Sequence, residues 1–390
     1  SYKDLGSIRP EGIELACITK RDYAHDVLLI KKETIKELSQ KSIIVVGTSS
    51  PRRIYNLQNN LSRYLPGDNT KVECKTLRGN INTRIKKLKN DQYDAIVLAM
   101  AGLERLACHE ESKETLKELL DGLNFMIMPQ KDFPSAASQG ALAIECNDKR
   151  QDDLKEILKT VHNDQTAQEI QRERAAFKKY GGGCHLPVGI HVKSVHDFFI
   201  HLHEGESDGT RFKRSILEGF NYPKNLYGKK AYYMFGQYDF LIKKRKIKNA
   251  IKGLPNIFLT SSLCQHNLKA YTTLWSAGNR TMKKLIKSGQ WVNGSAEGFG
   301  HNEIVKFQKS EFIKIMSAEL PWIVLSHDKA KSPVGDVVAS YKHEVQTKFQ
   351  KKYKDELMDS EIIYWSSPLQ FELYTTHYPE LLKKYHACGL

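Results

Sequence analysis

The sequence predicts a multi-domain α/β protein, and three observations carry that prediction. At 390 residues the chain is too long for one core, because domains run at about 150 residues, so about two or three are expected. Buried-strand patterns alternate with helical ones in two separate stretches. Between them, around residues 221–230, the composition shifts to Asn, Pro, Gly and Lys, which marks a boundary.

Each element follows from local pattern. From Ser42, SIIVV reads as a buried strand, GTSS as a turn and PRRIYNLQNNLSRYL as a helix, and Tyr93 to Met100 is a second buried strand. DDLKEILKTVHND and DQTAQEIQRERAAFKKY are helical, the second capped by Asp164 and stopped by Gly181, Gly182 and Gly183. The stretch from Gly189 to Phe220 alternates and carries turn residues at Glu204 to Gly209, as an antiparallel hairpin would. Past the boundary, NIFLTSS, WIVLSHD and EIIYWSS are three short apolar runs ending in polar residues, separated by helical segments.

Charge and composition exclude several classes. Hydrophobic residues at 40% and charged residues at 27% fit a globular protein and rule out collagen-like or disordered chains. No apolar run approaches the ~20 residues of a membrane span. Ser1 opens no secretory pattern, and seven widely spaced cysteines without a CxxC pair suggest neither disulfides nor a metal cluster, so a cytoplasmic protein is expected. Sixty basic against 45 acidic residues give +15, which favours anionic partners. A nucleic-acid partner would rest on net charge alone, without aromatics interleaved on a basic stripe, and is not expected.

The strongest local signal is Gly47-Thr48-Ser49-Ser50-Pro51-Arg52-Arg53 after a strand, where hydroxyls, free N–H groups and a Pro-initiated helix make an anion cradle. Ordinary N-capping with exposed arginines accounts for the same letters. Arg78, Arg84 and Arg105 each lie near a Gly turn, where forked donors could clamp carboxylates. Cys184 follows three glycines, either because something bulky approaches its backbone or because it is an inert thiol past a helix end. Lys3 and Asp4, alone, read as a surface pair.

In order and wording these segments resemble porphobilinogen deaminase, also called hydroxymethylbilane synthase. The resemblance runs from Ser1 to about Phe220 through SYKD, RDYAHDVL, VGTSSPRR, TLRGNINTR, YDAIVLAMAGLERL, SAASQGALAIEC, QRERAAF and GGGCHLPVG. It implies periplasmic-binding-protein-like lobes and a small α+β cofactor domain: residues 1–24 and 137–160 as a remnant of domain 1, 25–136 as domain 2, and 161–225 as domain 3. It further implies a dipyrromethane cofactor held by a thioether to Cys184, and Asp4 as the catalytic carboxylate of an SxKD motif with Ser1 and Lys3 beside it. Thr48, Ser49, Ser50, Arg52, Arg53, Arg78 and Arg84 match cofactor-binding positions, and Arg105 and Gln139 substrate-binding ones. The implied activity joins four porphobilinogen molecules into hydroxymethylbilane with loss of ammonia. Each pyrrole brings an acetate and a propionate, which accounts for the arginines better than nucleic acid does. The family has a long N-terminal stretch ahead of SxKD, so this sequence reads as N-terminally incomplete. Smaller departures are Pro51, where a larger apolar residue is usual, Ser138, where Gly is usual, and a lengthened 63–70 region.

Residues 229–390 resemble uroporphyrinogen-III synthase through IFLTSS, WSAGNRT, VNGSAEGFG, WIVLSHDKAKSPVGD, IIYWSSPLQFE and HACGL. That resemblance implies two α/β lobes around a cleft that binds hydroxymethylbilane, closes the ring with its last pyrrole inverted, and needs no metal. Thr260, Ser261, Ser262, Ser276, Thr281, Ser366 and Ser367 are the expected cleft donors, although strand-end capping suits each equally well. Tyr364 and Tyr374 are expected as proton partners or as core residues. The whole reads as a monomeric bifunctional enzyme of haem biosynthesis. The competing readings are a chain with one active half, and a truncated polycarboxylate-binding protein without turnover.

Overall fold

The computed structural model describes residues 1–390 apart from 7–9, 68–69, 184, 221–223 and 389–390 and the side chains of 151–153 and 155. Among the described residues the mixed α/β architecture is built from five sheets. The first is five-stranded, in the order Lys71–Lys75, Ile43–Gly47, Ala95–Ala99, Asp26–Lys31, Leu123–Ile127. Its first three strands are parallel, and Asp26–Lys31 runs antiparallel to both neighbours. Val27 to Ile30 are fully buried, the continuous apolar run expected of a strand covered on both faces. Because Asp26 pairs with Ala99, the start of this strand lies at the carboxyl edge of the parallel ones.

Ile13–Ile18 pairs with Ala143–Asn147 across a bulge between Leu15 and Cys17. The stretch expected as one hairpin forms a three-stranded antiparallel sheet, Val188–Val195, Phe198–Ser207 and Thr210–Glu218. Glu204 to Ser207 stay in a strand, and the turn contracts to Asp208-Gly209, where both residues take positive φ (50° and 71°), the conformation a tight hairpin requires. Helix Asp164–Lys179 lies against this sheet.

The C-terminal part holds a six-stranded sheet, ordered Ile242–Lys246, Asp336–Val345, Trp322–His327, Asn256–Leu259, Leu274–Ser276, Gly294–Ser295. A smaller parallel sheet combines Ala231–Tyr233, Ile362–Trp365 and Tyr385–Cys388. The chain leaves the small sheet through Ile242–Lys246 and returns through Asp336–Val345, which pair antiparallel, so two strands link the two sheets.

The five- and six-stranded sheets meet edge to edge. Ile127 N–H donates to the Asn293 carbonyl (2.7 Å), and Trp291 Nε1 and Asn293 Nδ2 both donate to the Phe125 carbonyl (3.0 and 2.9 Å). Alternate residues of each strand then join two cores that run through the junction. One combines Leu28, Ile30, Val46 and Met126 with Ile257, Leu274, Trp291 and Leu325. The other combines Leu29, Ile96 and Phe125 with Phe258, Trp275, Phe307 and Phe312. Asp132, 4% exposed, ties three parts together by accepting from Tyr64 Oη (2.6 Å), Lys213 Nζ (2.6 Å) and Lys283 Nζ (2.5 Å). Burial alone would raise its carboxyl, but Lys213, Lys283 and Tyr64 hold it well below the usual carboxylate range.

Candidate functional site

Open parallel sheets bind ligands outside the carboxyl ends of their strands. That edge here carries the anion-cradle segments. The strand Ile43–Gly47 leads through Thr48 to Ser50 into helix Pro51–Asn60, and Lys71–Lys75 leads through Leu77 to Asn80 into helix Ile81–Lys89. Ser50 caps the first helix, accepting from Arg53 N–H, and Asn80 caps the second, accepting from Thr83 N–H. Ser49 fastens the two loops: its hydroxyl donates to the Leu77 carbonyl (2.9 Å) and accepts from Leu77 N–H (3.1 Å). Thr48 is buried and accepts from Ser50 N–H. The capping alternative thus holds for Ser50 alone, while Thr48 and Ser49 brace the loops, and the three shape the cradle from within.

Arg52 and Arg53 are not exposed capping-turn arginines; both are buried. Each pairs with one oxygen of Asp26, at 2.8 Å for Arg52 Nη1 and 2.6 Å for Arg53 Nη2. Burial would raise the Asp26 carboxyl, but the two guanidiniums hold it far below the usual range. Gln139 Nε2 donates to Asp26 (3.0 Å) and to the Ala24 carbonyl (2.7 Å), so Gln139 positions this carboxylate. One carboxylate against two guanidiniums leaves a surplus of positive charge, and Arg53 Nε is buried without a hydrogen-bond partner among the described residues.

The N-terminal motif comes to the same place. Tyr2–Asp4 forms a single 3-10 turn held by Tyr2 N–H on the Ala141 carbonyl (3.1 Å), with Asp4 N–H on the Ser1 carbonyl (3.1 Å). Lys3 is pushed below its ordinary value by burial first and then by the charge of Arg53, against the opposing pull of Asp26 and Asp4. Arg84 is likewise lowered by burial, Arg53 and Arg78, and its Nε donates to the Gly79 carbonyl (2.7 Å). Lys3, Arg52, Arg53, Arg78 and Arg84 thus form one electrostatically coupled cluster beside Asp4 and Asp26. A donor set of this kind fits a covalently held group bearing several carboxylates.

Other expected residues lie elsewhere. Arg105, exposed on helix Met100–Cys108, faces a shallow pocket with Asp22, Lys306 and Lys309. Cys184 lies outside the described residues. Its approach has the form expected: Gly181 and Gly182 take φ of 105° and 63°, closing helix Asp164–Lys179 with bonds to the Lys178 and Phe177 carbonyls. Ser138 also has positive φ (68°), a conformation that favours glycine, the residue that the resemblance leads one to expect there. Glu173 of QRERAAF is fully buried and receives Arg21 in a fork (2.7 and 3.1 Å), Ser138 N–H (2.7 Å) and Val192 N–H (2.9 Å), clamping the Gln139 loop to the sheet that follows Cys184.

In the C-terminal part, a cleft of about 1260 Å³ is lined by Thr260, Ser261, Ser262, Thr281, Ser366 and Ser367. Basic residues accompany them: Lys244, Arg280, Lys284, Lys329 and Lys331. Ser276 departs from expectation, being buried with its hydroxyl donating to the Gly278 carbonyl (3.2 Å). Tyr374 is a core residue: it is fully buried, accepts from Leu241 N–H (2.8 Å) and donates to Asp239 (3.1 Å), and burial raises its phenol far above normal. Tyr364 is half-buried, its ring tilted against Tyr233 and Phe235.

Sequence reading missed Asp26, Arg21 and Glu173. A signal for the first was present, since an acid opening the fully apolar run DVLLI must be buried and therefore paired.

Comparisons with known proteins place the chain among relatives. A family model described as porphobilinogen deaminase, dipyromethane cofactor binding domain, matches residues 1–155. A porphobilinogen deaminase of Fusobacterium nucleatum is 37% identical over 223 residues, 56% of this chain and 67% of that protein. One from Halalkalibacterium halodurans is 37% identical over 222 residues, 56% and 64% of the two chains, and one from Prochlorococcus marinus subsp. pastoris is 32% identical over 262 residues, 66% and 73%. The chain thus spans about two thirds of the length of these relatives. Among the described residues no helix is long and apolar enough to cross a membrane. With the coupled cationic cluster at the carboxyl edge of its parallel strands and relatives matched across two thirds of their length, the chain belongs to the porphobilinogen deaminase family.

Proposed function

We propose that residues 1 to about 220 carry out the deaminating condensation of four porphobilinogen molecules into hydroxymethylbilane on a dipyrromethane linked to Cys184. The observation that carries this reading is the cluster of Lys3, Arg52, Arg53, Arg78 and Arg84 beside Asp4. When bound, the dipyrromethane supplies the nucleophilic pyrrole to which each substrate is added. Arg53, Arg78 and Arg84 hold acetate and propionate groups by forked hydrogen bonds. The Asp4 carboxylate stabilises the cation left when substrate loses ammonia, and then takes up the proton released on coupling. Asp26, neutralised by Arg52 and Arg53, orients the arginines rather than competing for the ligand.

The C-terminal cleft suits the next step, closure of the bilane to uroporphyrinogen III. Its hydroxyl and basic lining matches a polycarboxylate held in one fold, a proximity effect more than an acid–base one. The domain division given above and a cytoplasmic location belong to the same proposal.

Intact-protein mass spectrometry with peptide mapping tests the first step. The expected result is a dipyrromethane mass on the peptide containing Cys184. A bare Cys184 after incubation with porphobilinogen or preformed bilane refutes the deaminase reading. Supplying hydroxymethylbilane and identifying the cyclised isomer tests the second step: inversion of the last ring supports it, and closure without inversion overturns it.

A further inference from the structure

We infer that His327, Asp328 and His343 form a binding site for a divalent transition-metal ion, Zn2+ by preference, opening on the cleft of the C-terminal part. The inference stands apart from the deaminase and cyclisation readings, neither of which calls for a metal.

The backbone brings the three together. His327 ends strand Trp322–His327, and His343 lies on its parallel neighbour Asp336–Val345. The pairing slips by one residue between Ser326 and His327, which places His327 opposite Tyr341. His343, two residues further on, shares the face of Tyr341. Asp328 is held at the strand end by its N–H on the Tyr341 carbonyl (3.0 Å). One ligand atom from each of the three side chains lies within 4.8 Å of the other two, and the imidazole rings are 5.3 Å apart. Tetrahedral Zn2+ with bonds of about 2.1 Å needs ligand atoms about 3.4 Å apart, so closing on an ion takes side-chain movements of about 1 Å.

The chemistry of the donors points the same way. Nδ1 of His327 and Nδ1 of His343 are both buried and find no hydrogen-bond partner among the described residues, a costly arrangement for a lone pair unless something accepts it. Burial, assisted by the cation of Lys244, pushes the His343 imidazole down to about 4. Burial also lowers His327, with Asp328 pulling the other way and Lys244 and Lys329 adding to the lowering. Two imidazoles and one carboxylate suit Zn2+ and disfavour Ca2+ or Mg2+, which take oxygen ligands.

Three protein ligands leave a fourth position, and His327 and His343 line a cleft that also holds Lys244, Lys329 and Lys331. Those lysines oppose a bare cation. They favour an ion whose open position takes a carboxylate from an anionic ligand in the cleft, so the site differs from the closed cages of structural zinc.

Equilibrium dialysis of the tag-free full chain against ZnCl2 tests the inference, with Co2+ as a spectroscopic substitute. The expected result is one bound equivalent and the visible absorption of tetrahedral Co2+. Losing an outer-shell partner costs about 10–100-fold in affinity, so His327→Ala and His343→Ala should each weaken binding at least that much, and Asp328→Asn should weaken it too. If an alanine variant misfolds by circular dichroism, His343→Gln supplies the same reading. No stoichiometric binding, or equal binding by the double variant His327→Ala/His343→Ala, overturns the assignment.

Discussion

Glu173→Gln should release the loop of Gln139 and the sheet that follows Cys184. Burial opposes the Glu173 carboxylate, but Arg21 and His191 outweigh it and bring the group from an ordinary 4.5 down to about 2. At 1.36 kcal/mol per unit this is about 3 kcal/mol of stabilisation, a factor of roughly 300. Glutamine keeps the shape, removes the charge and leaves Arg21, whose side chain is 7% exposed, with only the more distant Glu169 (4.0 Å) as counter-ion, a change that costs up to about 3–5 kcal/mol at such sites. Because the folded carboxyl titrates below the unfolded one, the contribution is complete above about pH 4.5 and fades as the pH falls toward 2. Hydrogen exchange reads it directly, since Ser138 and Val192 N–H both donate to Glu173. At pH 7 those amides should exchange roughly a hundredfold or more faster in the variant, with the ratio to wild type shrinking below pH 4.5. Equal exchange at pH 7 would refute the clamp.

Asp4→Asn should still carry the dipyrromethane mass but lose chain elongation by at least about a hundredfold; near-normal turnover removes Asp4 from the chemistry. Arg53→Met leaves Asp26 with one guanidinium and should cost about 3 kcal/mol together with loss of cofactor retention, read by thermal melting and intact mass. Full loading at wild-type stability would show that Arg53 holds nothing. Glu104→Gln weakens the bonds that Ser310 Oγ, Glu311 N–H and Phe312 N–H make to Glu104 from the C-terminal part, at a cost of about 1–3 kcal/mol. All four tryptophans, 275, 291, 322 and 365, lie beyond the boundary, so a lower urea midpoint in tryptophan emission checks it.

The strands beginning at Ile43 and Ala95 were legible because unbroken β-branched and aliphatic runs report burial on both faces. Gly181 and Gly182 were legible because their positive φ leaves few other choices. What the sequence hid is pairing at long range. Asp26 meets Arg52 and Arg53 only once the register of two antiparallel strands is set, and Glu173 meets Arg21 across 152 positions of chain. Exposed arginines stayed open as an alternative for SSPRR because local pattern cannot show that a carboxylate from another strand draws them inward. His327 and His343, on separate strands, follow no metal spacing that a linear motif records.

The meeting of Leu123–Ile127 with residues 291–295 sets an order of events during synthesis. Until Ser295 is made, 168 residues after Ile127, the N-terminal sheet emerges with an uncovered rim whose strand, LNFMI, is mostly apolar. At ribosomal speeds of about 5–20 residues per second this lasts on the order of ten to thirty seconds. A bare apolar rim is a template for pairing with another chain. Nascent copies are thus most aggregation-prone in this interval, and a stop codon placed after residue 228 would make the exposure permanent.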